Sequence, residues 1–459
     1  MADDRPDRGG SDFDGSGGER LNARGASGDQ PASGDQPASG DRPASGDQPA
    51  DDRLTYEESG VDYDRIDPLK VLAQRAARAT GANLDRAGTR EVAASRGESA
   101  YVVDIGDAYL ASITECLGTK ALVADAMRAA SRALEAPEES GEKEASEASE
   151  GSQTSQGSEA SQETEASGAS EASGRTWYDH IAQDTIAAAV NDIVTVGARP
   201  LSIHAYWAAG SSDWFDDVER MNDLVGGWKA ACDVLGVAWG GGETPCLTGV
   251  VEEGAIDLAA SCVGIIRPKS RLALGKDLGA GDAIVLLESS GIHANGLTLA
   301  RKLSERLPKG YSTPLPGGRT YGEALLDPTV LYPPVTEAAF AAGIDLHYAA
   351  NVTGHGWRKI MRHPGRFTYR ISEVPPVPEV LEFMVAETRQ TAEEAYGSLN
   401  MGAGFALFVR PEDGDAAVAC AEAQGVRARV AGVVEDGPRQ VVIEPLDVTL
   451  AGARLALRD

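Results

Sequence analysis

The chain has 459 residues, with 71 acidic against 42 basic side chains and a formal net charge of −29. That length allows two or three domains with ample core, and the carboxylate excess argues against a bare nucleic-acid or anionic-membrane binder, since both reward Lys and Arg. No apolar run is long enough to span a bilayer, and the first residues lack the basic and apolar regions of a secretory signal, so a cytoplasmic protein is expected.

Charge is unevenly spread. Residues 26–49 repeat Ala-Ser-Gly-Asp-Gln/Arg-Pro four times, a unit with no large apolar side chain to bury, and 1–53 reads as a disordered acidic tail. A second low-complexity stretch, about 135–175, has no aromatic and no branched aliphatic residue between Leu134 and Trp177, so it cannot offset its ordering entropy. Together the two carry about half of the net charge. The remaining acidity, with Arg outnumbering Lys, fits either a salty cytoplasm or GC-rich coding bias with ordinary solubility. Five dispersed cysteines without a CxxC pair fit neither a disulfide framework nor a zinc knuckle, and read as small buried hydrophobes.

From Leu54 the pattern turns globular. Residues 101–105 and 109–114 read as a hairpin about Gly106-Asp107. Thr119 to about Leu134 and His180 to Val196 read as helices, the second ended by Gly197 and Pro200, so the acidic insert lies between two helices. Leu201–Trp207 is strand-like, 214–235 helical, and Ile256–Ile266 a long apolar strand. The polar joint 268–281 marks a boundary between domains at 54–267 and 268–459. Beyond it come a buried strand at 283–287 and helices at 297–307, near 335–342, 377–395 and 415–424. Strands follow near 404–409, 427–434 and 440–444. This mixture lacks strict βαβ repetition and points to α+β.

No GxxxxGK[ST] loop and no GxGxxG after a strand is present, which removes the commonest nucleotide folds. What remains is a series of polar turns. Gly118-Thr119-Lys120 opens a helix, where backbone N–H groups and a lysine favour phosphate, although a plain N-cap is the competing reading. Asp184, Asn191 and Asp192 share one helix face, and with Glu115 they offer hard oxygen ligands for Mg²⁺. Gly240-Gly241-Gly242-Glu243-Thr244 carries three glycines that permit close backbone approach, with Glu243 able to orient a substrate or serve as a base, and a tight turn is the competing reading. Ser289 to Gly296, holding His293 and Asn295, is a strand–turn–helix nest rich in donors. Thr353-Gly354-His355-Gly356 and Asn400 to Gly404 complete the set. No Ser/His/Asp triad spacing is present.

In this order the turns, with Tyr56 to Asp62 ahead of them, resemble the aminoimidazole ribonucleotide synthetase (phosphoribosylformylglycinamidine cyclo-ligase) family, from about Tyr56 to Pro445. The resemblance implies a two-domain AIR synthase-like subunit, with an N-terminal domain forming a dimeric β-barrel and a C-terminal α/β sandwich. It also implies a homodimer binding ATP and Mg²⁺, and an ATP-dependent ligase of purine biosynthesis. The family reaction phosphorylates the formyl amide oxygen of a ribonucleotide; a nitrogen then attacks and phosphate leaves.

On that pattern Gly118, Thr119, Lys120, Asn191 and Asp192 hold the nucleotide, and Glu115, Asp184 and Asp192 hold the metal. Glu243, Thr244, His293, Asn295 and Gly296 face the substrate, with His293, Asp192 and Lys120 catalytic. The chain departs from the pattern at several places. Glu115-Cys116 replaces Asp-Gly, the Gly-rich stretch ahead of that strand is missing, and Gln74 stands for a lysine, with Lys70 and Arg75 nearby. His355 interrupts a triple glycine, and Ala205 stands for an Asp. A paralogue acting on another amide or acid, and a non-catalytic nucleotide binder, are the alternatives these departures leave open.

Overall fold

The computed structural model describes residues 53–54, 63–135 and 175–452. The tail at 1–53, the insert at 135–175 and the Tyr56–Asp62 motif fall, apart from their edge residues, outside the described residues.

Two mixed sheets organise the described chain. The first contains β1 (Arg90–Glu91), β2 (Tyr101–Asp104), β3 (Tyr109–Cys116), β4 (Arg199–Ala209), β5 (Ala238–Glu243) and β6 (Ile256–Ile266), in the order β1-β2-β3-β6-β4-β5. The expected hairpin forms, with Tyr101 opposite Ser112, and β3 continues antiparallel along β6. Helix α1 (Tyr63–Ala79) precedes this sheet, α2 (Lys120–Glu135) follows β3, α3 (Tyr178–Ile193) precedes β4, and α4 (Val218–Leu235) joins β4 to β5.

Helix α3 is the pillar of this half. Ile181, Ile186, Val190 and Ile193 are fully buried, each worth about 1.5–3 kcal/mol by area. The helix ends in a tight turn at Gly197, φ 82°, where a Cβ would stand 1.8 Å from the Arg271 carbonyl oxygen. Only glycine fits this close approach.

The second sheet contains β7 (Ala283–Glu288), β8 (Tyr348–Asn351), β9 (Phe367–Ile371), β10 (Ala403–Val409), β11 (Ala428–Asp436), β12 (Gln440–Ile443) and β13 (Val448–Ala451), in the order β13-β12-β9-β11-β7-β10-β8. Every residue of β7 and β10 is buried, so both sheet faces are covered there; this explains why Ala283–Leu287 is continuously apolar. The helices are α5 (Leu297–Arg306), α6 (Tyr321–Leu325), α7 (Pro333–Ala341), α8 (Glu379–Thr388), α9 (Ala392–Tyr396) and α10 (Gly414–Ala423).

The structure alters two expectations. The helix near 377–395 is two helices. Arg389 takes a left-handed conformation (φ 55°) that ends α8, and the reciprocal Thr391–Glu394 capping box starts α9. Gly240 to Gly242 is not a turn but the centre of β5, which runs parallel to β4 at the sheet edge. A Cβ on Gly242 would lie 2.1 Å from the Ala205 carbonyl oxygen, and one on Gly240 would lie 2.5 Å from the His204 ring. The glycines let the strand pack against β4.

Candidate functional site

A cavity of about 280 Å³ gathers residues from both halves of the chain. Glu115 enters from the end of β3, on the same strand face as Ala111 and Ile113. Asn191 and Asp192 come from the last turn of α3. His293 and Asn295 come from the loop between β7 and α5, Asn351 from β8, and Thr353 to His355 from the turn after it. Lys70 of α1 and Lys359, on the 3₁₀ turn Gly356–Met361, complete the charged lining.

The charges differ in how they are held. Asp192 accepts a hydrogen bond from Asn351 Nδ2 at 2.8 Å, which fixes one carboxylate oxygen. Burial, and then the neighbouring Asp192 charge, push the Glu115 carboxyl up to about 7. His293 takes a left-handed backbone conformation (φ 60°), and its Nε2 accepts the Ser290 N–H at 3.2 Å. Burial, and then the Lys120 charge, push this imidazole down to about 3. It is therefore neutral at physiological pH, with its proton on Nδ1.

Glycine and asparagine behind the wall hold that loop in place. Asn400 accepts from Ser289 Oγ (2.9 Å) and donates to the Gly291 carbonyl (2.8 Å), while its own carbonyl accepts the Trp357 indole N–H (2.7 Å). It thereby ties the His293 loop to the Lys359 turn. A Cβ on Gly404 would lie 1.9 Å from the Tyr332 hydroxyl and 2.7 Å from His293 Cε1, so this glycine makes room for both rings.

Other expected site residues lie elsewhere. Lys120 and Asp184 are absent from the cavity lining. Their side chains have no exposure and pair with each other at 2.7 Å. Lys120 also donates to the Asp327 carbonyl at 2.7 Å, and one Asp184 oxygen accepts from the Thr329 N–H at 2.7 Å and from its hydroxyl. Asn191 donates to the Val330 carbonyl (2.8 Å) and accepts the Tyr332 N–H (2.9 Å), and Gln183 donates to the Thr329 carbonyl (2.8 Å). The polar stripe of α3 thus satisfies the backbone of segment 326–332, which would otherwise be buried unpaired. That use accounts for carboxylate and amide groups on an otherwise apolar helix.

Gly118 and Thr119 precede α2 outside the cavity lining. Gly296, φ 94°, turns the chain into α5, and a Cβ there would meet Leu399. Glu243 and Thr244 sit at the exposed end of β5. The metal set of three carboxylates is accordingly reduced. Among the described residues no group of three or more His, Cys, Asp or Glu side chains gathers to hold an ion. Glu115 and Asp192 remain, and two carboxylates suit Mg²⁺, which keeps several waters and takes further oxygens from phosphates.

Lys359 was missed from the sequence, because a lysine within Gly-Trp-Arg-Lys carries no periodic signal; its meaning comes from the fold that returns it to β3. No helix among the described residues is long and apolar enough to cross a membrane.

The chain matches the sequence models described as AIR synthase related protein, N-terminal domain, over residues 161–266, and AIR synthase related protein, C-terminal domain, over 279–444. The phosphoribosylformylglycinamidine cyclo-ligase of Rippkaea orientalis is 34% identical over 272 residues, covering 58% of this chain and 78% of that protein. The enzyme of the same name from Methanothermobacter thermautotrophicus is 30% identical over 393 residues, covering 85% and 97%. Among solved structures, hydrogenase maturation protein HypE in complex with ATP aligns with a TM-score of 0.45 and 18% identity, over 60% of this chain and 81% of that one. The two matched halves follow one another in the family's order and contain the cavity residues from Ala187 to Lys359, and the chain belongs to the AIR synthase family.

Proposed function

We propose that the protein is an ATP-dependent ligase that closes the imidazole ring of aminoimidazole ribonucleotide from formylglycinamidine ribonucleotide, as its relatives are named for doing. The observation that carries this reading is the convergence of two carboxylates, two lysines and a neutral histidine on one cavity in a chain aligned along nearly the whole length of a cyclo-ligase.

The chemistry needs a poor leaving group, the amide oxygen, converted into a phosphate ester, and then an amine held against the adjacent carbon. Positioning and charge neutralisation supply most of the acceleration. Asp192, fixed by Asn351, and Glu115 are the residues that would hold Mg²⁺, which supplies charge neutralisation on transferring phosphoryl oxygens. His293, neutral and held by Ser290 and Gly404, offers a hydrogen bond without adding charge. Asn295 on the same loop supplies a second polar contact to the substrate.

The reading extends, as part of the proposal, to a homodimer sharing a barrel. Within one chain the first sheet is open, with β5 at one edge and all six of its residues exposed. Its strand face away from α3 carries Ser112, Thr114, Ser261 and Val263, and Trp239 stands 37% exposed on β5. A second copy would cover this face and cap the edge.

Incubation with ATP, Mg²⁺ and formylglycinamidine ribonucleotide is expected to yield ADP, phosphate and the aminoimidazole product. ATP binding without product over prolonged incubation refutes the cyclo-ligase reading.

A further inference from the structure

Lys359 feels the Asp192 and Glu115 charges but is in hydrogen-bonding contact with neither. Its side chain is partly buried, it lines the cavity, and among the described residues no ion pair or hydrogen bond engages its ammonium. Other cations near it are committed. Arg362 donates to the Gly97 carbonyl (3.1 Å) and Ser99 Oγ (2.8 Å) and lies 3.7 Å from Glu98. Lys120 is bound to Asp184. On the acidic side, Asp192 already accepts from Asn351, and Glu115 lines the same cavity. The ammonium is therefore free to meet an anion that enters the cavity.

The groups that face Lys359 come from four elements: Glu115 on β3, Asp192 on α3, Lys70 on α1 and Arg362 beyond its own turn. Burial and Arg362 hold its pKa down to about 8, against the pull of Asp192 and Glu115, so the ammonium stays charged at neutral pH. The cavity, about 280 Å³, is large enough to admit a phosphoryl group beside Lys359.

We propose that Lys359, which lines the same cavity as Glu115 and Asp192, is the docking point for a phosphoryl group. Two sources share this chemistry, the terminal phosphoryl of a nucleoside triphosphate and the 5′-phosphate of a ribonucleotide. The assignment of those ligands rests on the ligase reading above. The 3₁₀ turn is anchored through Trp357 to Asn400, so the cation is positioned by the same hub that holds the His293 loop.

The test is calorimetric titration of parent, Lys359→Met, Lys359→Gln and Lys359→Arg with ATP, ADP, formylglycinamidine ribonucleotide, its dephosphorylated nucleoside and inorganic pyrophosphate. A loss of at least about tenfold in the Met and Gln variants, largely restored by Arg, is expected. If ATP weakens while ADP does not, the terminal phosphoryl docks at Lys359. If the ribonucleotide weakens while its nucleoside does not, the 5′-phosphate docks there. Variants that melt like the parent and bind every phosphorylated ligand with parental affinity overturn the proposal. Pyrophosphate makes the outcome independent of the ligase reading, because a parent that binds it and variants that do not would support Lys359 even if no cyclised product ever formed. A parent that binds none of the five overturns it as well.

Discussion

The buried Lys120–Asp184 pair gives a sharp separation between structural and catalytic roles. Asp184→Asn preserves shape and the acceptor for Thr329, and replaces the charged oxygen opposite Lys120 with an amide nitrogen that cannot accept. Both side chains have no exposure and stand 2.7 Å apart, so the lysine is left with the Asp327 carbonyl as its sole compensation. Breaking a buried pair from one side costs about 3–5 kcal/mol. At about 2.1 cal/mol/K per residue, an ordered chain of this size shifts by ~1.4 °C per kcal/mol, so the melting temperature should fall by about 4–7 °C. Lys120→Met should cost a similar amount, since it strands the carboxylate. The double variant should lose less than the sum, because each single change already removes the shared interaction. Thermal melting by circular dichroism, with and without ATP and Mg²⁺, checks this. An Asp184→Asn protein that melts within about 2 °C of the parent but has lost its nucleotide-dependent stabilisation would show that the pair serves the ligand and not the fold.

Three further outcomes are expected. Gly404→Ala should cost about 1–3 kcal/mol and depress turnover, because a methyl group there meets the Tyr332 hydroxyl and the His293 ring; parental melting and kinetics would contradict the packing described. His293 is neutral when folded, with its pKa near 3, so the folded state binds fewer protons than the unfolded chain between about 3 and 6.5. Its contribution to stability is lost as pH falls through that window, by up to ~1.4 kcal/mol per pH unit, and His293→Gln should flatten the acid side of the stability profile. Glu115 behaves oppositely: its carboxyl, raised to about 7, keeps a proton in the folded state above pH 4.5, so its contribution declines as pH rises from 4.5 to 7. Glu115→Gln should therefore gain on the parent at pH 8 relative to pH 5 while losing Mg²⁺-dependent nucleotide stabilisation, and an identical pH profile would remove Glu115 from the cavity's electrostatics.

Legibility in the sequence followed the range of the interactions. The 101–116 hairpin, α3 and β6 were readable because their apolar period and their Gly and Pro stops are local. Glu115 at a strand end, Asp192 on a helix face and His293 and Asn295 in a turn were readable as polar site candidates, and the fold brings those four to one cavity. The Asp184 contact to Thr329, 145 residues away, was not legible, because helical spacing cannot distinguish a carboxylate that holds backbone from one that faces a ligand. The glycines at 240–242 were legible as allowing close backbone approach, but not as the centre of a strand. A strand that glycine allows to pack closely on its neighbour looks, one residue at a time, like a turn. Lys359 was invisible until the chain returned to β3.

Helices α2 and α3 also determine where this chain tolerates change. The long acidic stretch leaves from the far end of α2 and rejoins before Tyr178, whereas Glu115 precedes α2 and Asp192 lies at the other end of α3. At 1.5 Å per residue, the fourteen residues from Tyr178 to Asp192 hold the rejoining point about 21 Å along the helix from the carboxylate. Two stiff rods thus insulate the reaction chamber from whatever is spliced between them. A lineage is free to lengthen, shorten or replace that connection, and an engineer to open the chain there or insert a reporter domain, with the chemistry at the opposite ends of the rods left undisturbed.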